Sequence, residues 1–457
     1  VVTLYQNKVI DRLRDALTKK MNIVSVSMKV DEVDPLSFFE AGEKFFLGQR
    51  FYWSDCTNEY VFVGLGRTYV IQSDDQSKHR FIEIERKWKK ILEGALIERE
   101  QDVLGTGPIL FGGFAFDPLK RKTEKWINFP SARFILPSIL LSKRNNETWL
   151  TVNVVDQSLE QLEEIIIHLF NGQKKQNNKD VYCLLKKEIE REKWIQAVKD
   201  VTSEIHDGKI QKVVLARELE LMFNEQIDSA RVLAALREQQ PMSYIFAFEN
   251  GSSCFLGASP EQLVKKEENV CETVCLAGSI KRGKTLKEDE QLGDWLLHDE
   301  KNRQEHQLVV DMICNAMNEV CDHVVVPQAP TLLKMRHIQH LYTPVKGYSK
   351  ENVSILSLVE RLHPTPALGG FPQEEAVRKI REIEPLDRGW YAAPIGWMDA
   401  SGNGEFAVAI RSALIHENEA HLFAGCGIVA HSDAYSEYEE TNVKFKPMLF
   451  ALGGMDE

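Results

Sequence analysis

No apolar run in these 457 residues approaches the roughly 18 needed to cross a bilayer as a helix. The opening VVTLYQNKVIDRLRDALTKK is interrupted by charges, so it lacks the apolar region of a secretory leader. Val9, Ile10, Leu13 and Leu17 fall instead at helical spacing. Excess positive charge is missing too: 56 Lys and Arg against 68 Asp and Glu leave a net charge of −12. That excludes nucleic acid and an anionic membrane as expected partners, since phosphate binding needs clustered cations. A small anion remains possible where cations gather inside a cleft. Paired CxxC motifs are absent. Of the eight cysteines, Cys271 and Cys275 form a CxxxC with no second pair, so no zinc pattern is complete. Reduced thiols in a cytoplasmic protein are expected. No Gly-rich dinucleotide loop occurs either, because Gly425-Cys426-Gly427 lacks the third glycine and the downstream acid.

What is present is a chain 43% hydrophobic and 27% charged, enough for a large core. Strand-like runs are expected at 50–53, 60–63, 68–71, 108–116 and 134–141, the last pairing with 149–155 through the turn Lys143-Arg144-Asn145-Asn146. Asp34-Pro35 opens a helical stretch containing Phe38, Phe39, Phe45 and Phe46, and 159–169 reads as helix. Residues 171–180, NGQKKQNNKD, hold no apolar side chain and make the best linker, dividing 1–180 from 181–457. Beyond it, helices are expected at 189–205, 286–320 (one or two), 353–362 and 373–383, with a last one from Glu437. Strands are expected at 212–221, 242–249, 254–257, 396–397, 405–415 and 421–425. Strands and helices in runs, not in strict alternation, predict an α+β fold.

Several charged residues stand where their pattern could carry chemistry. Ser436, followed three residues later by Glu439, reads as a capping box that puts Glu437 in the first helical turn. Glu437, Glu440 and Lys444 then share one face, either a solvated one braced by a Glu440–Lys444 pair or the wall of a site. Glu305 leads Leu308, Val309 and Met312 at helical spacing, with Asn302 one turn earlier, so its carboxylate faces inward and needs a cation. A buried ion pair would serve as well as a metal. EFAVAIRSALI alternates as a strand, with Phe406, Val408 and Ile410 on one face and Ala407, Ala409, Arg411 and Ala413 on the other. Space is left before a guanidinium suited to a carboxylate ligand or to a core acid. Lys212 heads KVVLAREL, marking a wet strand end or, in a desolvated cleft, a base. Glu261 in GASPE is a loop acid, and PTPALGG at 364–370 is a rigid-then-flexible loop.

Their order carries more than any one of them. KVVLARELEL, FLGASPEQLV, CLAGSIKRG, DEKNRQEHQLVV, HIQHLYTP, LHPTPALGGFP, EPLDRGWYAAPIGWMD, GEFAVAIRSALI, LFAGCGIV and SEYEETNVK follow one another from Lys212 to Lys444. This series resembles the chorismate-utilising family of isochorismate, salicylate, anthranilate and aminodeoxychorismate synthases. DPLSFF, FYWSD and GPILFGGFAFDP resemble the longer N-terminal region of the menaquinone-pathway members. The resemblance implies a large two-lobed fold of two packed, mainly antiparallel sheets flanked by helices, with 1–180 woven into it. It implies that Glu305 and Glu440 hold Mg²⁺, with Glu437 and Asn302 behind them. It implies that Arg411 and Lys444 bind substrate carboxylates, and that Tyr391, Gly425, His340, Gly278, Ser279, Ala367, Leu368 and Ile410 line the substrate. Lys212 would be the general base and Glu261 the general acid. The lysine implies water as nucleophile and so isochorismate as product. Ala367 stands where salicylate synthases are expected to carry threonine, which favours stopping there. Salicylate, anthranilate or aminodeoxychorismate formation and an inactive chorismate-binding relative are the alternatives. No amidotransferase triad is present, and no such partner is needed.

Overall fold

The structure, a computed structural model, describes residues 2–18, 21–155, 159–171, 181–208, 210–335 and 338–454. All but the first residue of the expected linker lie outside them. Strands build two sheets, one 13-stranded and one 10-stranded. The larger runs from an edge at Cys183–Ile189 through Lys212–Phe223, Glu419–Ile428, Ser412–His416, Ser253–Ser259 and Tyr244–Asn250. It continues through Arg50–Ser54, Tyr60–Leu65, Ile139–Arg144, Glu147–Val154 and Ile23–Val30 to Ala95–Arg99. In the smaller sheet, Gln262–Glu267, Gly404–Val408 and Pro394–Asp399 lie next to Ile109–Phe114 and Ala132–Leu136. Both sheets therefore draw strands from either side of residue 180. Among the described residues, pairing is antiparallel except between Ile23–Val30 and Ala95–Arg99.

Alternation explains why the central strands are apolar throughout. In Tyr244–Asn250, Phe246 and Phe248 point into the core between the sheets, while Ile245 and Ala247 point to the outer face. Between the sheets Trp53, Phe62, Phe111, Trp390 and Trp397 are fully buried. The outer face of the larger sheet is covered by helices, including Pro35–Ala41, Ser229–Gln239 and Ala434–Leu452. The α+β class and the two packed sheets are as the sequence predicts.

Two runs expected as single strands are each split between the sheets. Residues 134–141 break at Pro137, which has no N–H for a ladder, so Ala132–Leu136 ends in the smaller sheet and Ile139–Arg144 begins in the larger. Residues 405–415 break at 409–411, where Arg411 takes φ +51. Gly404–Val408 belongs to the smaller sheet and Ser412–His416 to the larger, so the alternation through Arg411 does not hold. Its neighbour crosses beside it: Ser253–Ser259 lies in the larger sheet and Gln262–Glu267 in the smaller, with Pro260-Glu261 between. The crossings are tied by Ala258 N–H to Arg411 O at 3.1 Å and Val408 N–H to Glu261 O at 3.0 Å.

Other expectations shift by a turn. The 143–146 turn tightens to Asn145-Asn146, since Lys143 and Arg144 pair with Thr148 and Glu147. The last helix starts earlier, at Ala434, because Asp433 and not Ser436 caps it, accepting from Ser436 N–H at 2.9 Å. The Phe38–Phe46 stretch divides at Gly42, and Ile189 ends a strand before the helix Arg191–His206 begins. Residues 286–320 form two helices, Leu286–His298 and Glu300–Asn318, separated by Asp299.

Candidate active site

The crossings at Glu261 and Arg411 form one wall of a cavity of about 520 Å³. Every residue singled out above lines it: Lys212, Glu261, Gly278, Ser279, Asn302, Glu305, His340, Ala367, Leu368, Tyr391, Ile410, Arg411, Gly425, Glu437, Glu440 and Lys444.

Lys212 begins the strand Lys212–Phe223, and its side chain runs over Gly427 of the paired strand. A Cβ on Gly427 would stand 2.7 Å from Lys212 Cε, so a larger residue there would push the end of the lysine side chain aside. Lys212 is not unpaired at the strand end: its Nζ donates to Glu305 Oε1 at 2.6 Å. Glu305 sits near the start of Glu300–Asn318, where the Asp299 carboxylate accepts from the backbone N–H of Asn302 at 2.9 Å and from its side-chain Nδ2 at 2.7 Å. The next residue, His306, fixes this helix to the sheet. Its Nδ1 bonds to Ala277 O at 2.9 Å and its Nε2 to Thr343 Oγ1 at 2.7 Å, while burial lowers its pKa and keeps the ring neutral. Gly278 follows at φ +80, in a register shift between Leu276 and Ser279 that turns Ser279 toward His340. Ser279 Oγ and His340 Nδ1 are 2.6 Å apart. Burial first, then Arg411 and Lys444, push His340 down to about 4, so it is neutral at pH 7.

On the last helix Lys444 Nζ donates to Gly425 O at 2.8 Å and pairs with Glu440 Oε1 at 2.7 Å. The expected Glu440–Lys444 pair therefore forms, along the cavity wall and with the Glu440 side chain exposed. Glu437 accepts from Ser432 Oγ at 2.7 Å, and burial raises its pKa. Arg411 Nη1 donates to Lys444 O at 3.3 Å and no acid is within ion-pair distance of it among the described residues, which disposes of the core-acid alternative. Burial holds its guanidinium below the usual range. Tyr391 stacks on Phe423 with centroids 5.3 Å apart. Glu261 is pushed up to about 7 by burial, against the pull of Lys212, Lys444 and Arg411.

The pair that holds two walls together was not legible in the sequence. Arg388 and Glu384 are both buried and paired at 2.6 Å. Arg388 also donates to Val214 O at 2.7 Å and Leu368 O at 3.1 Å, and Glu384 Oε2 accepts from Ala216 N–H at 2.7 Å. The strand of Lys212 and the loop of Ala367 are thus fixed to one ion pair. An i,i+4 Glu–Arg spacing was the available signal, yet on most helices it marks a solvated face. Ser432 was missed as well, being a loop serine with no pattern around it.

Cations for a carboxylate, oxygen donors for a hard ion, a neutral imidazole and a raised carboxyl thus share one enclosed space. Residues 8–453 match the family model of chorismate binding enzymes, and the chain belongs to that family. It is 45% identical over 442 residues to the isochorismate synthase MenF of Bacillus subtilis, covering 94% of each chain. It is 36% identical over 452 residues to the salicylate biosynthesis isochorismate synthase of Pseudomonas aeruginosa, covering 95% of this chain and 92% of that one. Among solved structures, the menaquinone-specific isochorismate synthase of Escherichia coli superposes with a TM-score of 0.81 at 26% identity, over 98% of this chain and 99% of that one.

Proposed function

We propose that the protein is an isochorismate synthase, isomerising chorismate to isochorismate by adding water at C2 and losing the C4 hydroxyl. The observation that carries this reading is a carboxyl held near pH 7, Glu261, in one cavity with Lys212 and an unpaired arginine. Full-length likeness to isochorismate synthases supports it, and likeness to the MenF proteins supports a place in menaquinone biosynthesis. Eight free thiols support a reducing, cytoplasmic setting, and no helix among the described residues is long and apolar enough to cross a membrane.

Arg411 and Lys444 take the substrate carboxylates, and Tyr391, His340 and the 364–370 loop shape the ring pocket. The donor set fits Mg²⁺: Glu305, Glu437 and Glu440 offer carboxylate oxygens and Asn302 an amide, while burial raises the pKa of the one thiol in the lining, Cys426, and disfavours its thiolate. Among the described residues no three such side chains already converge, and Glu305 and Glu440 are each held by a lysine. Glu305 and Glu440 would hold the ion, backed by Glu437 and Asn302. Bound there, Mg²⁺ would neutralise and orient a substrate carboxylate. Lys212 serves as the general base and takes the proton of the water attacking C2. The ring double bonds shift, and Glu261 gives its proton to the departing C4 hydroxyl, which leaves as water. The proton on Lys212 restores Glu261 through solvent, so atoms and charge balance with no redox cofactor. No amidotransferase partner enters the scheme.

The test is chorismate turnover with and without Mg²⁺, the product identified by mass spectrometry, in wild type and Lys212→Gln. Isochorismate should form only with Mg²⁺. The Gln variant should lose about 10²–10⁴-fold in kcat with little change in KM, since a proton acceptor acts only in the transition state. Wild-type turnover in Lys212→Gln would overturn the lysine base, and salicylate or anthranilate as product would overturn the reaction.

A further inference from the structure

A second cavity, of about 580 Å³, shares no lining residue with the first. The two meet along one stretch of chain: His363 and Pro364 line the second cavity, Ala367 and Leu368 the first. Its walls include the rings of Phe81 and Phe116 and the side chains of Leu119 and Val377. Gln373, also on its wall, donates from Nε2 to Pro364 O at 2.8 Å.

One buried cation lining this cavity forms no ion pair among the described residues. Arg80 is 3% exposed. Among the described residues its guanidinium makes one hydrogen bond, from Nη1 to Ser131 O at 3.3 Å, and its Nε is buried without a partner. Arg50 and Arg388 are buried to the same degree, and each holds a buried carboxylate, Glu249 at 2.7 Å and Glu384 at 2.6 Å. Arg80 has no such partner among the described residues; its guanidinium lies instead over the rings of Phe81 and Phe114, 5.0 and 5.8 Å from their centroids. Asp117 lines the cavity too but is taken by Arg381 at 2.6 Å. Burial pulls the Arg80 pKa down to about 10, which still leaves it charged at neutral pH. A buried charge of this kind is costly unless a counter-charge arrives. The helix Gln373–Ile383 brings its N-terminus to the same space, with Pro372 at the cap and no side chain capping it. Lys78, Arg378 and Arg381 stand on the lining beside Glu360, Glu374 and Glu375, so the rim is mixed in charge and Arg80 is its deeply buried cation.

We propose that this cavity is a second ligand site that takes an aromatic monocarboxylate, its carboxylate on Arg80 and the N-terminus of Gln373–Ile383, its ring against the apolar wall of Phe81, Phe116, Leu119 and Val377. The site stands apart from chorismate turnover and holds whether or not that reaction is as described above. Titration calorimetry of the full chain with 2-naphthoate tests it, with 2-naphthalenemethanol as the uncharged probe. Naphthoate should bind one per chain. It should bind about tenfold more weakly to Arg80→Met, the alcohol should bind wild type about tenfold more weakly than naphthoate does, and Arg411→Lys should leave naphthoate affinity within about twofold. Should Arg80→Met fail to fold by circular dichroism, Leu119→Trp decides: Leu119 is 53% exposed on the cavity wall, and the larger ring should weaken naphthoate by about threefold or more. No heat at millimolar naphthoate, equal affinity for the alcohol, unchanged affinity in the folded Arg80→Met, unchanged affinity in the Leu119→Trp that replaces it, or a loss in Arg411→Lys matching that in Arg80→Met would each overturn the proposal.

Discussion

Glu261 is asked to be neutral where three cations would keep it ionised, and burial decides the contest. Its carboxyl rises from 4.5 to about 7. Between those values the folded chain holds a proton that the unfolded chain has released, so stability falls as pH rises through that window. Glu261→Gln cannot ionise and should lack this loss. Its Tm at pH 8 should exceed that of wild type by an amount worth on the order of 1–2 kcal/mol, discounted for water in the cavity. The same variant should turn over about 10²–10⁴-fold more slowly, while the wild-type kcat declines as pH passes about 7. Calorimetry at pH 5 and 8 with a kcat–pH profile checks both. Arg411→Lys replaces a planar fork by a point charge, and KM for chorismate should rise about tenfold, roughly 1.5–3 kcal/mol. An unchanged KM would make Arg411 structural. At this scale the site was legible because its residues recur in a fixed series along the chain. The residues that hold them were not, since Ser432, His306 and the Arg388–Glu384 pair act through partners distant in sequence.

Elements were legible where one face is buried and one is wet, as in Gln373–Ile383, whose bounds match the expectation. Runs that change sheets were not. Residues 405–415 alternate without interruption, yet the chain turns at Arg411 into the left-handed region and enters the other sheet. Periodicity reports burial on two sides and carries no mark of which sheet supplies it. His79–Leu92 was also missed: its buried face is only Arg80, Phe81, Ile84 and Trp88 in an otherwise charged helix. The Arg388–Glu384 pair gives the prediction that belongs here. Glu384→Gln leaves a buried guanidinium without its counter-charge, at a cost of about 3–5 kcal/mol. It should also loosen the 364–370 loop, which Arg388 holds at Leu368 O. Chemical denaturation measures the first effect and faster amide exchange at Leu368 and Gly369 the second. An unchanged midpoint would show that the pair is dispensable.

At the scale of the molecule, neither half of the chain completes a sheet. Tyr244–Asn250 pairs with Arg50–Ser54, and Pro394–Asp399 with Ile109–Phe114. Trp390 packs against Phe129 at 5.1 Å. Residues 181–457 expressed alone should therefore expose two sheet edges and half of the core. They should bind a hydrophobic dye and show no cooperative melting transition; a sharp transition in that fragment would show a self-sufficient unit. The two adjacent crossings have one more consequence. Glu261 and Arg411 lie where strands leave one sheet for the other, so they reach their places only after both sheets have formed and docked. Pairing at such long sequence separation is slow to arrive. In a refolding experiment the far-ultraviolet signal would recover first and turnover would lag behind it, because the catalytic centre is among the last features of the molecule to exist.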